Sequence, residues 1–165
     1  MNPIYARRSC RSFTDEPVTE KDVRAVLQAA MAAPTAVNAR PWEFYVTRDA
    51  SLMERLASVS PYAGPAAKAP VLVMPCYRDD CRAPEYAQID MAIACQNLML
   101  EAVARGLGTV LLGIAPESER MAAVKEVLAL PEHVECFGLV PLGHPAHEAA
   151  PHGNDIWDEE RVHRL

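Results

Sequence analysis

Seven residues near the start of the chain, Arg7-Arg8-Ser9-Cys10-Arg11-Ser12-Phe13, carry its most evident binding chemistry. A guanidinium presents a planar fork of donors that matches phosphate oxygens, and a serine hydroxyl adds a short neutral donor. Taken alone, the three guanidiniums and two hydroxyls fit half of a phosphate clamp and fit a solvated basic segment equally well. A second stretch, Ala33-Pro34-Thr35-Ala36-Val37-Asn38-Ala39-Arg40-Pro41-Trp42, is the other landmark of the chain.

Other chemistries find less support. The five cysteines, Cys10, Cys76, Cys81, Cys95 and Cys136, form no CxxC and read as reduced thiols. Cys95 and Cys136 read as small buried hydrophobes. Cys10 reads as a packing residue that its arginine neighbours would activate only if it were exposed. His144, His147, His152 and His163 are spread through a proline-containing tail, so no metal site is expected. No serine–histidine–carboxylate set or carboxylate pair can be identified, as expected if a cofactor carries the chemistry.

Composition sets the frame. The 165 residues suit one domain, residues 1–165, with about 144–165 as a C-terminal arm. Half of the residues are apolar, enough for a sizeable core, and no run approaches the ~20 residues of a membrane span. With no signal-like apolar start, a cytoplasmic protein is expected. A net charge of −6 argues against nucleic acid as partner, and a local basic cluster in an acidic chain points to one small anion.

The elements that position these residues follow from pattern. A short helix is expected from Pro3 to about Ser9. A capped helix opens at Thr19 and carries Val23, Val26, Leu27, Ala30 and Met31 at helical spacing. Trp42–Thr47 reads as a strand, Asp49–Ser58 as a helix, and Ser60–Pro70 as a loop. Val71–Met74 reads as a buried strand, and Tyr77–Pro84 as an irregular lid or loop. Glu85–Arg105 reads as a long central helix, apolar nearly all round and therefore buried, closed by Gly106. A strand within Gly106–Gly113, a helix over Glu117–Leu128 and a strand over Val134–Gly143 follow. Within that last strand, glycine permits close approach of another backbone. The alternation implies an α/β or α+β three-layer domain. No strand precedes the basic cluster, which excludes a Rossmann or P-loop start.

In order and spacing, the chain resembles the nitroreductase family of FMN-dependent oxidoreductases. The resemblance rests on Arg7-Arg8-Ser9-x-Arg11-x-Phe13, Ala32 through Phe44, Ala69-Pro70-Val71, and Asp90 through Gly113. Leu130-Pro131, Leu142-Gly143-His144-Pro145 and Asp158-Glu159-x-Arg161-Val162-His163 complete it. It implies an α+β three-layer fold with a mostly antiparallel central sheet, and a homodimer with FMN at the subunit interface. By position, Arg7, Arg8, Ser9 and Arg11 would hold the phosphate and ribityl chain. Pro34, Thr35, Ala36 and Asn38 would reach the flavin of the other subunit. Leu112 and Gly113 would pass along the ring, with a backbone N–H near N5. NAD(P)H would be the donor and an electron-poor small molecule the acceptor, with ping-pong kinetics.

Two departures stand out. Ala36 lacks a hydroxyl that the family usually carries. Ile156, in Asn154-Asp155-Ile156-Trp157-Asp158, stands where a basic residue usually pairs with the phosphate. Such a charge-assisted contact contributes about 1.5–3 kcal/mol, so weaker FMN retention is expected. These departures keep open a flavin-binding or oligomeric interaction protein with little reductase turnover. An acidic scaffold without cofactor is the third reading, and it predicts a colourless protein.

Overall fold

The strand β2, Val71–Arg78, is the axis of the molecule. Seven of its eight residues are buried, so it is covered on both faces. Alternation along a strand sends successive side chains to opposite sides. Val71, Val73 and Tyr77 join a core with Val23, Val26, Met91 and Leu98, from helices α2 (Glu20–Met31) and α4 (Pro84–Ala104). Leu72, Met74 and Cys76 join a second core with Met53, Leu56 and Val124, from α3 (Ala50–Ala57) and α5 (Ser118–Leu128). The result is three layers, helices on both faces of one sheet, and the class is α+β. The computed structural model describes residues 2–147, 150 and 156–165.

β1 (Trp42–Thr47) pairs antiparallel with β2, which pairs antiparallel with both β5 (Val134–Cys136) and β6 (Gly138–Gly143). β2 extends past the expected Met74 through Pro75 and Cys76, and takes Tyr77 and Arg78 out of the expected irregular segment. Pro75 has no N–H to give, but its carbonyl accepts the Phe137 N–H at 2.9 Å. The pairing register shifts by one residue between Val73↔Val140 and Cys76↔Cys136, a bulge at Phe137 that divides the expected single strand into β5 and β6.

β3 (Gly108–Thr109) and β4 (Leu112–Gly113) are likewise one expected strand in two pieces. Both pair with β6 in the same register, Gly108↔Gly143 and Leu112↔Leu139. The gap falls where Val110 would face Pro141, which cannot donate to a ladder.

Helix α1 is Pro3–Ala6, shorter than expected, because Ser9 and Cys10 are drawn into extended pairing with Thr109. The basic cluster is therefore a strap rather than a helical face. In α2 the Thr19 side chain caps the Asp22 N–H, as its pattern predicts. Gly106 closes α4 at φ +75°, a left-handed conformation suited to glycine. α4 departs from expectation on one side: Tyr86, Ile89 and Ile93 are exposed. Gln96 is exposed as well, and Asp90 is buried. Among the described residues, no helix is long and apolar enough to cross a membrane.

Candidate functional site

The strap of residues 9–14 is held by backbone bonds on both sides. Ser9 bridges Thr109, and the Cys10 N–H donates to the Thr109 carbonyl at 2.9 Å. On the other side the Thr14 N–H donates to the His144 carbonyl at 2.9 Å, and the Ala146 N–H to the Ser12 carbonyl at 3.1 Å. With the backbone so occupied, the Arg8, Ser9 and Arg11 side chains are left to line a cavity of about 600 Å³. Glu16, His144 and His147 share its wall. The strap lies close against β3. A Cβ on Gly108 would stand 2.7 Å from both Cβ and Sγ of Cys10, nearer than real side-chain contacts come.

The cavity suits an anion. Among the described residues, Arg7, Arg8 and Arg11 form no ion pair. Arg8 Nη1 is buried with no hydrogen-bond partner there, an arrangement that is costly unless a ligand satisfies it. Glu16 does not supply the missing acceptor; its carboxylate lies 3.6 Å from His144 Nε2. Cys10 is a packing group. Burial pushes its thiol up from the ordinary range, and Sγ donates to the Ser12 carbonyl at 3.1 Å. Arg7 lies at the C-terminal cap of α1 and does not line this cavity.

The second motif forms a tight turn over α4. The Ala36 N–H donates to both carboxylate oxygens of Asp90, at 3.1 and 3.2 Å. Thr35 Oγ1 accepts the Arg40 N–H at 3.1 Å, and Asn38 Oδ1 accepts from Arg40 Nε at 2.9 Å. Val37, Asn38 and Arg40 all have positive φ (46°, 55° and 49°), and for branched Val37 this is strained. Pro34 and Val37 are exposed at its surface. Sequence reasoning says that Asp90, once buried on this helix, needs a hydrogen-bond partner; that the partner is the Ala36 N–H is seen only in the structure.

Leu112 is buried and Gly113 exposed on β4, four residues along the chain from Thr109. Gly138 lets the strands close here: a Cβ there would meet the Leu112 carbonyl oxygen at 3.1 Å. The Gly113 carbonyl accepts from Arg120 Nη1 at 3.3 Å, and the Arg120 guanidinium stands 5.9 Å from the centroid of the Tyr62 ring. Sequence reasoning missed both residues. Within one chain the cavity thus gathers Arg8, Ser9 and Arg11, while Pro34–Asn38 and Leu112–Gly113 stand outside it.

The family model described as "Nitroreductase family" matches residues 4–61 and 60–144. The chain belongs to the nitroreductase family. A Methanothermobacter thermautotrophicus relative named "Putative NADH dehydrogenase/NAD(P)H nitroreductase" is 36% identical over 164 residues, covering 99% of this chain and 85% of that protein. A Parabacteroides distasonis crystal structure of a protein with the same name superposes with a TM-score of 0.93 at 28% identity, covering 98% and 95% of the two chains. The structure of a Desulfovibrio desulfuricans "putative nitroreductase in complex with fmn" has a TM-score of 0.83 at 28% identity, covering 99% and 94%.

In this nitroreductase-family chain the described tail residue Ile156 is exposed, whereas Asn154, Asp155 and His152 lie outside the described residues. Among the described residues no three His, Cys, Asp or Glu side chains are grouped to hold a metal. Cys76, Cys95 and Cys136 are fully buried. Burial pushes the Cys95 thiol up to about 12, and the hydrogen bond with Cys136, then burial, raise Cys76 further.

Proposed function

We propose that this chain is an FMN-dependent NAD(P)H oxidoreductase, acting as a homodimer with its flavin at the subunit interface. The observation that carries the reading is the strap cavity, whose arginines are unpaired and whose buried Arg8 Nη1 is unsatisfied among the described residues. Arg8 and Arg11 would bind the flavin phosphate, Ser9 would add a neutral donor, and Arg7 would approach from the end of α1. The Ser9–Thr109 bridge ties this end to β4, since four residues of chain span at most ~14 Å. That reach puts Leu112 and Gly113 where a ring attached to the phosphate could lie. Gly113, exposed and bare of a side chain, lets a flat ring approach the backbone.

Bound FMN supplies the redox chemistry, taking a hydride from NAD(P)H and passing two electrons to an electron-poor acceptor such as a nitroaromatic or quinone. The chain's tasks are to hold the phosphate, fix the ring against β4 and leave one face open. One face used by donor and acceptor in turn gives ping-pong kinetics.

The partner subunit would add Pro34, Thr35, Ala36 and Asn38. Support for a dimer comes from α4, where Tyr86, Ile89 and Ile93 form an exposed stripe at helical spacing, with Ile4 and Tyr5 exposed on neighbouring α1. A bare stripe on a central helix is the signature of an unpartnered interface.

The test is a visible spectrum after FMN addition and desalting, followed by NAD(P)H and an acceptor in the same cuvette. Retained flavin that is bleached and then reoxidised supports the reading. Retained flavin that NAD(P)H cannot bleach selects a binding protein, and a colourless protein rejects both.

A further inference from the structure

We infer that Arg120 is a specificity residue that draws the anionic group of a substrate to the edge of Gly113. The inference rests on the flavin reading above and goes beyond it, because none of the cofactor-holding residues supplies a cation at this end of the site. Arg120 comes from α5, outside the strap, and two contacts aim it. Its Nη1 donates to the Gly113 carbonyl at 3.3 Å, and its guanidinium lies over the Tyr62 ring at 5.9 Å. Neither contact removes its charge. Among the described residues Arg120 forms no ion pair, although Glu117 and Glu119 sit on the same helix turn.

A carbonyl and an aromatic face together fix the plane of a guanidinium while leaving other N–H donors free for a carboxylate or phosphate. Tyr62, 74% exposed, adds a flat apolar surface beside that charge. An exposed ring next to a held cation beside exposed Gly113 fits a planar substrate carrying a negative group. The anion would be either the carboxylate of an aromatic acceptor or the phosphates of the dinucleotide donor.

The experiment compares wild type, Arg120→Gln and Arg120→Lys, each loaded with FMN. Flavin retention is measured first and should be equal in all three. Benzoate binding is then followed by perturbation of the flavin absorption band, and KM is determined for 4-nitrobenzoate, nitrobenzene and NADH. Arg120→Gln should weaken benzoate about tenfold and raise KM for 4-nitrobenzoate but not for nitrobenzene, with partial recovery in Arg120→Lys. A rise confined to NADH assigns the anion to the dinucleotide and supports the same role. Equal benzoate binding and unchanged KM values, with flavin retained, overturn the Arg120 assignment alone. Loss of flavin from wild type itself removes the underlying reading and this inference with it.

Discussion

Both carboxylate oxygens of Asp90, buried in the second turn of α4, accept the same N–H, that of Ala36. The bond spans 54 residues of sequence and holds the turn whose Val37 sits at φ 46°. Such strain persists only where surrounding contacts over-determine it. Asp90→Ala should therefore destabilise the protein by about 2 kcal/mol, the size of a hydrogen bond to a charged group, and lower Tm by roughly 4–8 °C. Amide exchange at Ala36–Asn38 should quicken with it. A Tm unchanged within 1 °C, with protection intact, would remove Asp90 from this role.

Among the described residues Arg8 and Arg11 have no ion-pair or hydrogen-bond partners, so their loss should be felt by ligand rather than by fold. Arg8→Ala or Arg11→Ala should weaken FMN binding about 10–100-fold, with little change in Tm of the apoprotein. Fluorescence quenching on titration with FMN measures the first and a thermal melt the second. A large fall in Tm with unchanged FMN affinity would make these arginines structural.

Cys10 and Gly108 form a fitted pair. Gly108→Ala would force Cβ against the Cys10 side chain, destabilising by about 1–3 kcal/mol and displacing the strap that shapes the cavity. The double variant Gly108→Ala/Cys10→Gly should recover much of both stability and FMN affinity. Failure of the second substitution to recover either would place the strain elsewhere.

Asp22 should mark the acid limb of stability. The Thr19 hydroxyl, and then Arg105 at 2.7 Å, hold its carboxyl below the usual range. A depressed folded value means that its contribution is full above the unfolded value, about 3.9, and is lost as pH falls through the folded one. The Tm gap between wild type and Asp22→Asn should thus be constant from pH 7 to about pH 5 and narrow below pH 4. A gap that widens on acidification would contradict the assignment.

The exposed stripe on α4 should govern assembly. Ile89→Glu with Ile93→Glu should shift the mass in light scattering from dimer to monomer and reduce FMN retention together. A wild-type monomer that holds FMN fully would break the shared-site reading.

Much of this was legible locally. β1 has the bounds its aromatic and branched residues predict, Thr19 caps α2, and Gly106 ends α4. What escaped depended on distant partners. Nothing near Pro75 says that its carbonyl will meet Phe137, or near Ser9 that Thr109 will draw it out of a helix. The composition of α4 suggests burial all round, but the fold covers only the face carrying Asp90, Met91 and Leu98. Of the candidate site, the strap arginines could be read because their residue types are unusual together. Arg120 could not, since one arginine on a largely solvent-facing helix resembles many others.

The anion cavity is lined by segments far apart in sequence, residues 8–16 and residues 144–147, with Val103, Gly106 and Leu107 also in its lining. During synthesis, the arginines leave the ribosome well before His144 and then wait without that part of the lining. If the cavity holds the flavin phosphate as proposed, its lining is complete only once β6 and His144 have emerged and docked, so ligand loading would report that β6 is in place. A chain that stalls after α5 would carry the whole basic motif and still lack the His144 side of the cavity.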